Sequence, residues 1–198
     1  MTDTTSTPTT PTTSTPHGSL ALVKAAFADA KFRVSTFRDE TTLVVRPDAI
    51  HDVLAFLRDD KKCAYDFLSD VVGVDYLNFP LATAGPADGG RFAVVYNLIS
   101  TTLNQRLFVK VFLDASIDTA GVEDDPALHL STVCDLWPGA EWMEREVFDM
   151  FGIRFDGHPD MRRILLWEAY PAHPLRKDYP LRGRGERENF KVTDRDSA

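Results

Sequence analysis

The sequence predicts an α+β fold: a small, mainly antiparallel sheet with packed helices, followed by an extended Pro-rich C-terminal arm. Three observations carry this. Residues 91–100 and 105–114 read as strands, and the short Thr-Thr-Leu-Asn between them predicts an antiparallel hairpin. Three other segments repeat apolar residues at helical spacing. Beyond Ile153 the periodicity fades into prolines and arginines. A chain of 198 residues, 43% hydrophobic, suits one domain with a real core and tails.

Residues 1–18 form a tail. Fourteen of its first sixteen residues are Thr, Ser or Pro, a composition that predicts disorder. It has neither the apolar core of a secretory signal nor an arginine for a mitochondrial presequence. The folded domain is expected over residues 19–155. Leu20, Val23, Ala26, Phe27 and Ala30 mark its first helix. Residues 32–47 read as two short strands turning near Asp39 and Glu40. Pro47 opens a second helix with Asp48 as N-cap and Ile50, Val53, Leu54 and Leu57 as its buried stripe, and the helix stops at Arg-Asp-Asp-Lys-Lys. Residues 63–77 predict a short turn of helix and then a strand, and residues 81–90 carry loop signals. In the second hairpin strand, Leu107, Val109, Val111 and Leu113 alternate with Phe108, Lys110 and Phe112. Aromatics on the second face predict that it too is covered, by the two helices or by a partner. Pro138 starts a third helix with Met143, Val147, Met150 and Phe151 as its stripe and Gly152 as its stop. Residues 156–187 then form an extended interface arm, and residues 188–198 a flexible tail.

Charge and cysteines narrow the function. The formal net charge is -8, with a sequence pI near 5.1, which argues against a general nucleic-acid binder. Residues 156–198 hold 9 Lys/Arg and 8 Asp/Glu of the chain's 22 and 30, so the remaining 13 and 22 make an acidic body. That balance fits docking on other proteins. Cys63 and Cys134 are isolated, and the absence of C-x-x-C disfavours a zinc ribbon or an iron–sulfur cluster held by this chain alone. No apolar run approaches the ~20 residues that span a bilayer.

The densest chemistry lies between Glu144 and Leu165. Arg145 falls four residues after Glu141 and four before Asp149, so both pairs are expected on one helix face. Glu144 and Glu146 diverge by about 200° at ~100° per residue, which disfavours a catalytic carboxylate pair. His158-Pro159 and His173-Pro174 lack a third ligand at metal spacing, so each imidazole is expected to bond to a carbonyl or carboxylate. Each is followed by cations at nearly the same offset, Arg162-Arg163 and Arg176-Lys177. Arginine forks suit carboxylates and interfaces.

These residues resemble a known family. Glu144-Arg145-Glu146, Asp149, Met150-Phe151, His158, Arg162 and Ile164-Leu165, at their spacing here, are similar to the signature of the respiratory complex I 30 kDa subunit, the C subunit of bacterial NADH–quinone oxidoreductase. "GHPDMRRIL", "HPLRKDYPL" and "YDFLSDVVGVDYL" extend the resemblance to roughly residues 20–182. Ala172 stands where the family usually has glycine, and Leu166-Trp167 where it often has Thr-Pro or Met-Pro. The resemblance implies a non-redox scaffold in the peripheral arm, on the cytoplasmic face of the bacterial inner membrane. It implies no cofactor on this chain; FMN, iron–sulfur clusters, NADH and quinone serve the whole complex. Implied partners are the large quinone-site subunit and the terminal-cluster subunit. Implied signature or interface residues are Glu144, Arg145, Glu146, Asp149, Phe151, Gly152, His158, Pro159, Arg162, Arg163, Leu165, His173, Pro174, Arg176, Lys177, Asp178 and Tyr179. Two alternatives stand beside it: a homologous scaffold of a membrane-bound hydrogenase or F420 dehydrogenase, and a metal-dependent hydrolase built on His158 and His173.

Overall fold

The computed structural model describes residues 18–79 and 90–186. The expected disorder of residues 1–17, the loop over residues 81–89 and the tail over residues 188–198 lie outside the described residues. The elements are α1 (Gly18–Ala26), β1 (Arg33–Phe37), β2 (Glu40–Val45), α2 (Ile50–Asp59), β3 (Phe67–Asp75), β4 (Phe92–Ser100), β5 (Gln105–Leu113), β6 (His129–Ser131), α3 (Ala140–Phe151) and β7 (Arg154–Asp156). Single 3-10 turns at Pro47–Ala49 and Pro126–Leu128 precede α2 and β6.

Five strands form the main sheet in the order β1-β2-β5-β4-β3. Both predicted hairpins are present. Arg38 and Asp39 both adopt positive φ between β1 and β2, which matches a two-residue turn to the twist of its strands. The β4–β5 hairpin pairs Phe92 with Leu113 through Ser100 with Gln105. The hairpins join through β2 and β5, the one parallel pair of this sheet among the described residues, in register Thr42 to Phe108. A second, two-stranded sheet pairs β6 with β7, which sequence periodicity did not reveal because three-residue strands are too short to show a period.

Leu43, Val45, Val94, Tyr96, Leu98, Leu107, Val109 and Val111 point to one face and are buried. Val23 of α1, the Ile50, Val53, Leu54 and Leu57 stripe of α2, and Val147, Met150 and Phe151 of α3 join them in one core. All three helices therefore lie on that face. The second face, expected to be covered by the two helices or by a partner, carries no helix among the described residues: Val44, Val95, Ile99, Phe108, Lys110 and Phe112 are half-buried, and Phe37 is 71% exposed. Tyr76 packs on Phe112 with ring centroids 5.7 Å apart, and Lys110 Nζ donates to Tyr76 Oη at 3.0 Å.

Two local expectations are corrected. Asp48 does not cap α2. Its carboxylate accepts from Arg46 Nε and Nη2 at 3.1 Å each, and the residue before α2, Ala49, makes no side-chain cap. α3 begins at Ala140, because Pro138 and Gly139 form a preceding turn. Gly152 ends α3 as expected, at φ 74°, with its N–H bonded to the Phe148 carbonyl. Gly73 of β3 lets α3 approach closely, since a Cβ there would stand 2.4 Å from the Phe151 ring.

Candidate functional site

The described part of the arm has no helix or strand beyond β7, yet it is tied to α3 and β3 by polar contacts. Asp149, fully buried, is the centre. One carboxylate oxygen accepts from Arg163 Nη1 at 2.7 Å. The other accepts the backbone N–H of Ile164, Leu165 and Leu166 at 3.0, 2.8 and 2.9 Å. Burial pushes this carboxyl up, but the Leu166 N–H, the Arg163 guanidinium and the other two N–H groups outweigh it and hold it below the ordinary value. Arg163 also donates to the Tyr170 carbonyl at 2.8 Å. One α3 side chain thus organises a loop that has no ladder of its own.

Arg145 does not pair with Glu141 or Asp149 as the helix spacing suggested. Its side chain reaches off the helix: Nε donates to the Arg162 carbonyl and Nη2 to the Arg163 carbonyl, both at 3.0 Å. Its nearest carboxylate is Asp160, at 3.8 Å, and the Trp142 ring lies 5.4 Å away. Asp149 is occupied by the arm instead, because three convergent N–H groups satisfy a carboxylate better than one flexible guanidinium.

Both histidines bond to carbonyls. His158 Nε2 donates to Glu141 O at 3.0 Å while its Nδ1 accepts the Asp160 N–H at 2.9 Å, which fixes the neutral tautomer. Buried His173 donates from Nδ1 to the Asp149 carbonyl at 2.9 Å. Burial, aided by the nearby Arg176 and Arg163 charges, lowers its pKa from 6.5 to about 4. Arg176, also buried, donates from Nε to Phe151 O at 2.7 Å and from Nη1 to Thr119 O at 2.8 Å. Leu175 N donates to Met150 O at 3.2 Å. The end of α3, whose last carbonyls lack helical partners, is thereby capped by the arm. A Cβ at Gly152 would stand 2.3 Å from Arg176 Nη2 and 2.7 Å from His173 Nε2, so glycine is required there twice over.

A second anchor was missed from sequence. Asp75, at the end of β3, takes a bidentate pair from Arg91 at 3.0 and 2.8 Å and accepts the Lys177 N–H at 2.8 Å. Arg91 also pairs with Asp178 at 2.9 Å. Residues 102 positions apart give no local signal; only the Asp inside "YDFLSDVVGVDYL" hinted at it. Tyr179 donates to Glu186 at 2.7 Å and meets Tyr170 Oη at 2.6 Å. Ala172 keeps negative φ, so this turn does not demand glycine. Trp167 packs edge-on against Tyr170, with centroids 4.6 Å apart. Glu146, Pro159, Leu165, and the Arg162 and Lys177 side chains remain on the surface, and Pro174 is half-buried.

Glu144 lies apart from Glu146 and is fully buried. It accepts from Val133 N at 2.8 Å, Thr132 Oγ1 at 2.5 Å and Cys134 Sγ at 3.4 Å. Burial raises its pKa, partly offset by the Thr132 hydroxyl. Among the described residues, Cys134, Glu144 and His158 bring ligand atoms within 4.8 Å of one another. They do not fit a metal as they stand. Both His158 nitrogens are committed, the Cys134 thiol is pushed up to about 12 chiefly by burial, and Glu144 holds three donors. His158 and His173 do not converge: they bond carbonyls eight residues apart on α3, about 12 Å at ~1.5 Å per residue.

The family model for the respiratory-chain NADH dehydrogenase 30 kDa subunit matches residues 43–185. The NADH-quinone oxidoreductase C subunit of Thiobacillus denitrificans is 42% identical over 166 residues, 84% of this chain and 77% of that one. The C subunit of Roseiflexus sp. is 44% identical over 162 residues, 82% of each chain. The Bartonella bacilliformis protein of that name is 48% identical over 144 residues, and the match spans 73% of this chain and only 60% of the relative. Among solved structures, the trypsin-resistant fragment 1–134 of Nqo5 is similar at a TM-score of 0.54 and 33% identity, over 72% of this chain and 97% of the fragment. The membrane-bound sulfane sulfur reductase, an archaeal respiratory membrane complex, contains a chain similar in fold, at a TM-score of 0.55 and 22% identity, over 90% of this chain and 95% of that one.

Proposed function

The chain belongs to the family of the respiratory-chain NADH dehydrogenase 30 kDa subunit, and from that premise we propose that it is a scaffold subunit of the peripheral arm of a proton-translocating NADH–quinone oxidoreductase. The observation that carries the reading is the extent of the family match, which takes in β2–β5, α3 and the clamped arm together. Its partners are other subunits of complex I, and we place the large quinone-site subunit and the terminal-cluster subunit first among them. No helix among the described residues is long and apolar enough to cross a membrane, which is compatible with peripheral attachment. We assign that attachment to the cytoplasmic face of the inner membrane.

In this reading the chain carries no redox group, and electrons pass from NADH through FMN and iron–sulfur clusters held by neighbours. The chemistry of its own residues supports that. The ionisable groups are spent on holding the arm: Asp149 on Arg163 and three N–H groups, Asp75 on Arg91 and Lys177, and each family histidine on a helix carbonyl. The hydrogenase and F420 dehydrogenase alternatives are not favoured, since relatives at 42–48% identity are NADH-quinone oxidoreductase subunits.

Deleting the chain from its host and assaying the membranes tests the proposal. Loss of assembled complex and of NADH–quinone turnover, both restored by the full chain, is expected. The purified chain should show no flavin spectrum and no bound iron. Turnover persisting without the chain, or a chromophore on the chain alone, would overturn it.

A further inference from the structure

β3 is one edge of the main sheet, so one side of its backbone has no partner strand among the described residues. Beside that edge runs a groove of about 290 Å³ between β3 and α3. Its floor is apolar, made by Val71, Val147, Met150 and Phe151. Gly73, with the Phe151 ring packed against it, and Leu175 of the arm, 52% exposed, also line it. Val72, on the outer face of the same strand, is 43% exposed. Two acidic side chains flank the floor, Asp70 from the strand and Glu146 from the helix. Both are exposed, and neither makes an ion pair with another described residue.

We infer that this groove receives an extended segment of a partner subunit that adds to β3 as a further strand, alternates apolar residues toward α3 and carries at least one lysine or arginine opposite Asp70 and Glu146. Two independent features select that occupant. An unpaired strand edge recognises backbone, and therefore an extended chain rather than a helix or a small solute. Four strand residues line the groove, which at ~3.3 Å each gives about 13 Å of ladder. Alternate side chains of an added strand point to the helix side, as the Val71 side chain does, so a residue on every second position meets the apolar floor. The unpaired carboxylates on either side repel an acidic segment and favour a basic one. A second copy of this chain fits poorly, because its own β3 edge would bring a second Asp70 to a groove that already holds two unpaired carboxylates and would supply no cation for them.

The inference rests on the reading that the chain works within a multisubunit assembly. The test therefore reports both. A photo-crosslinking residue replaces Val72 in the full chain, and the detergent-solubilised complex is irradiated, purified and digested. A parallel sample carries the crosslinker at exposed Asp52 of α2. The expected result is a single crosslinked peptide from Val72, alternating in apolar residues and containing Lys or Arg, with none from Asp52. Combining Val72 labelling with Asp70→Lys and Glu146→Lys should cut that crosslink by about tenfold while the chain's melting temperature stays near normal. No crosslink from Val72 in an assembly that contains the chain overturns the groove assignment alone, as does an acidic or helical partner peptide, or a yield indifferent to the two charge reversals. A chain that elutes alone overturns the assembly reading, and the groove assignment with it.

Discussion

Asp149 of α3 and His173 of the arm are joined by a hydrogen bond and respond to acid in different windows. His173 is neutral in the fold because burial lowers its pKa from 6.5 to about 4. The unfolded chain therefore binds a proton that the folded chain refuses between those values. Stability from this residue is fully present above about pH 6.5 and is lost as pH falls toward about 4, a swing on the order of 3 kcal/mol. The Asp149 carboxyl lies below 3.8, so its contribution fades only at still lower pH. Urea unfolding at about pH 7 and about pH 5 should show this loss in the wild-type chain and a much flatter dependence in His173→Gln. Equal slopes in the two would remove His173 as the cause. Arg145 makes a different prediction. Arg145→Ala strands the carbonyls of Arg162 and Arg163 and should cost about 2–3 kcal/mol. Native gels should show less assembled complex, with NADH–quinone turnover per assembled complex nearly normal. Normal assembly with lost turnover would mean that the residue acts in electron or proton transfer.

At the scale of elements, two glycines set where α3 lies. Gly73→Ala would drive a Cβ toward the Phe151 ring, now 2.4 Å from that position, and should cost about 1–3 kcal/mol by overpacking. Gly152→Ala meets positive φ and the Arg176 and His173 side chains together, and should cost at least ~1–2 kcal/mol from the backbone alone. Thermal melts of both variants check this, and Gly152→Ala should also loosen the arm in hydrogen exchange. The α2 stripe, both hairpins and the Gly152 stop were legible because each is a local pattern: a period of 3.6, a period of 2, or a residue suited to one backbone conformation. The face on which the helices pack was not. Phe112 is apolar whether a helix covers it or Tyr76 and Lys110 do. The charged motif was legible as a cluster but misread in its pairing. Helical spacing names the neighbours of Arg145 within α3, whereas its actual partners are carbonyls contributed by residues 17 and 18 positions later. Asp75 with Lys177 was invisible for the same reason at larger range.

For the molecule as a whole, the arm behaves as part of the domain rather than as an appendage. Ending the chain after Asp156 would leave the Asp149 carboxylate buried without Arg163 or its three N–H groups. Breaking a buried pair in this way typically costs about 3–5 kcal/mol, a large share of a domain's total stability. The truncated chain should therefore be insoluble or lack a cooperative melt, and a truncation that melts normally would show that the arm is held from outside. The long reach of these contacts also governs the order of events at the ribosome. β2 is made early but cannot take its place beside β5 until Phe108 has emerged, 66 residues after Thr42. At ~5–20 residues per second that is a wait of about 3–13 seconds, during which the first hairpin has no sheet to join. Lys177 reaches Asp75 later still, 102 residues after it. The arm is made after the domain it ties together, and it supplies the Arg163 guanidinium to buried Asp149 and the Lys177 backbone N–H to buried Asp75. A nascent chain that stalls before Lys177 thus leaves this latch open, and it closes only once the arm has been made.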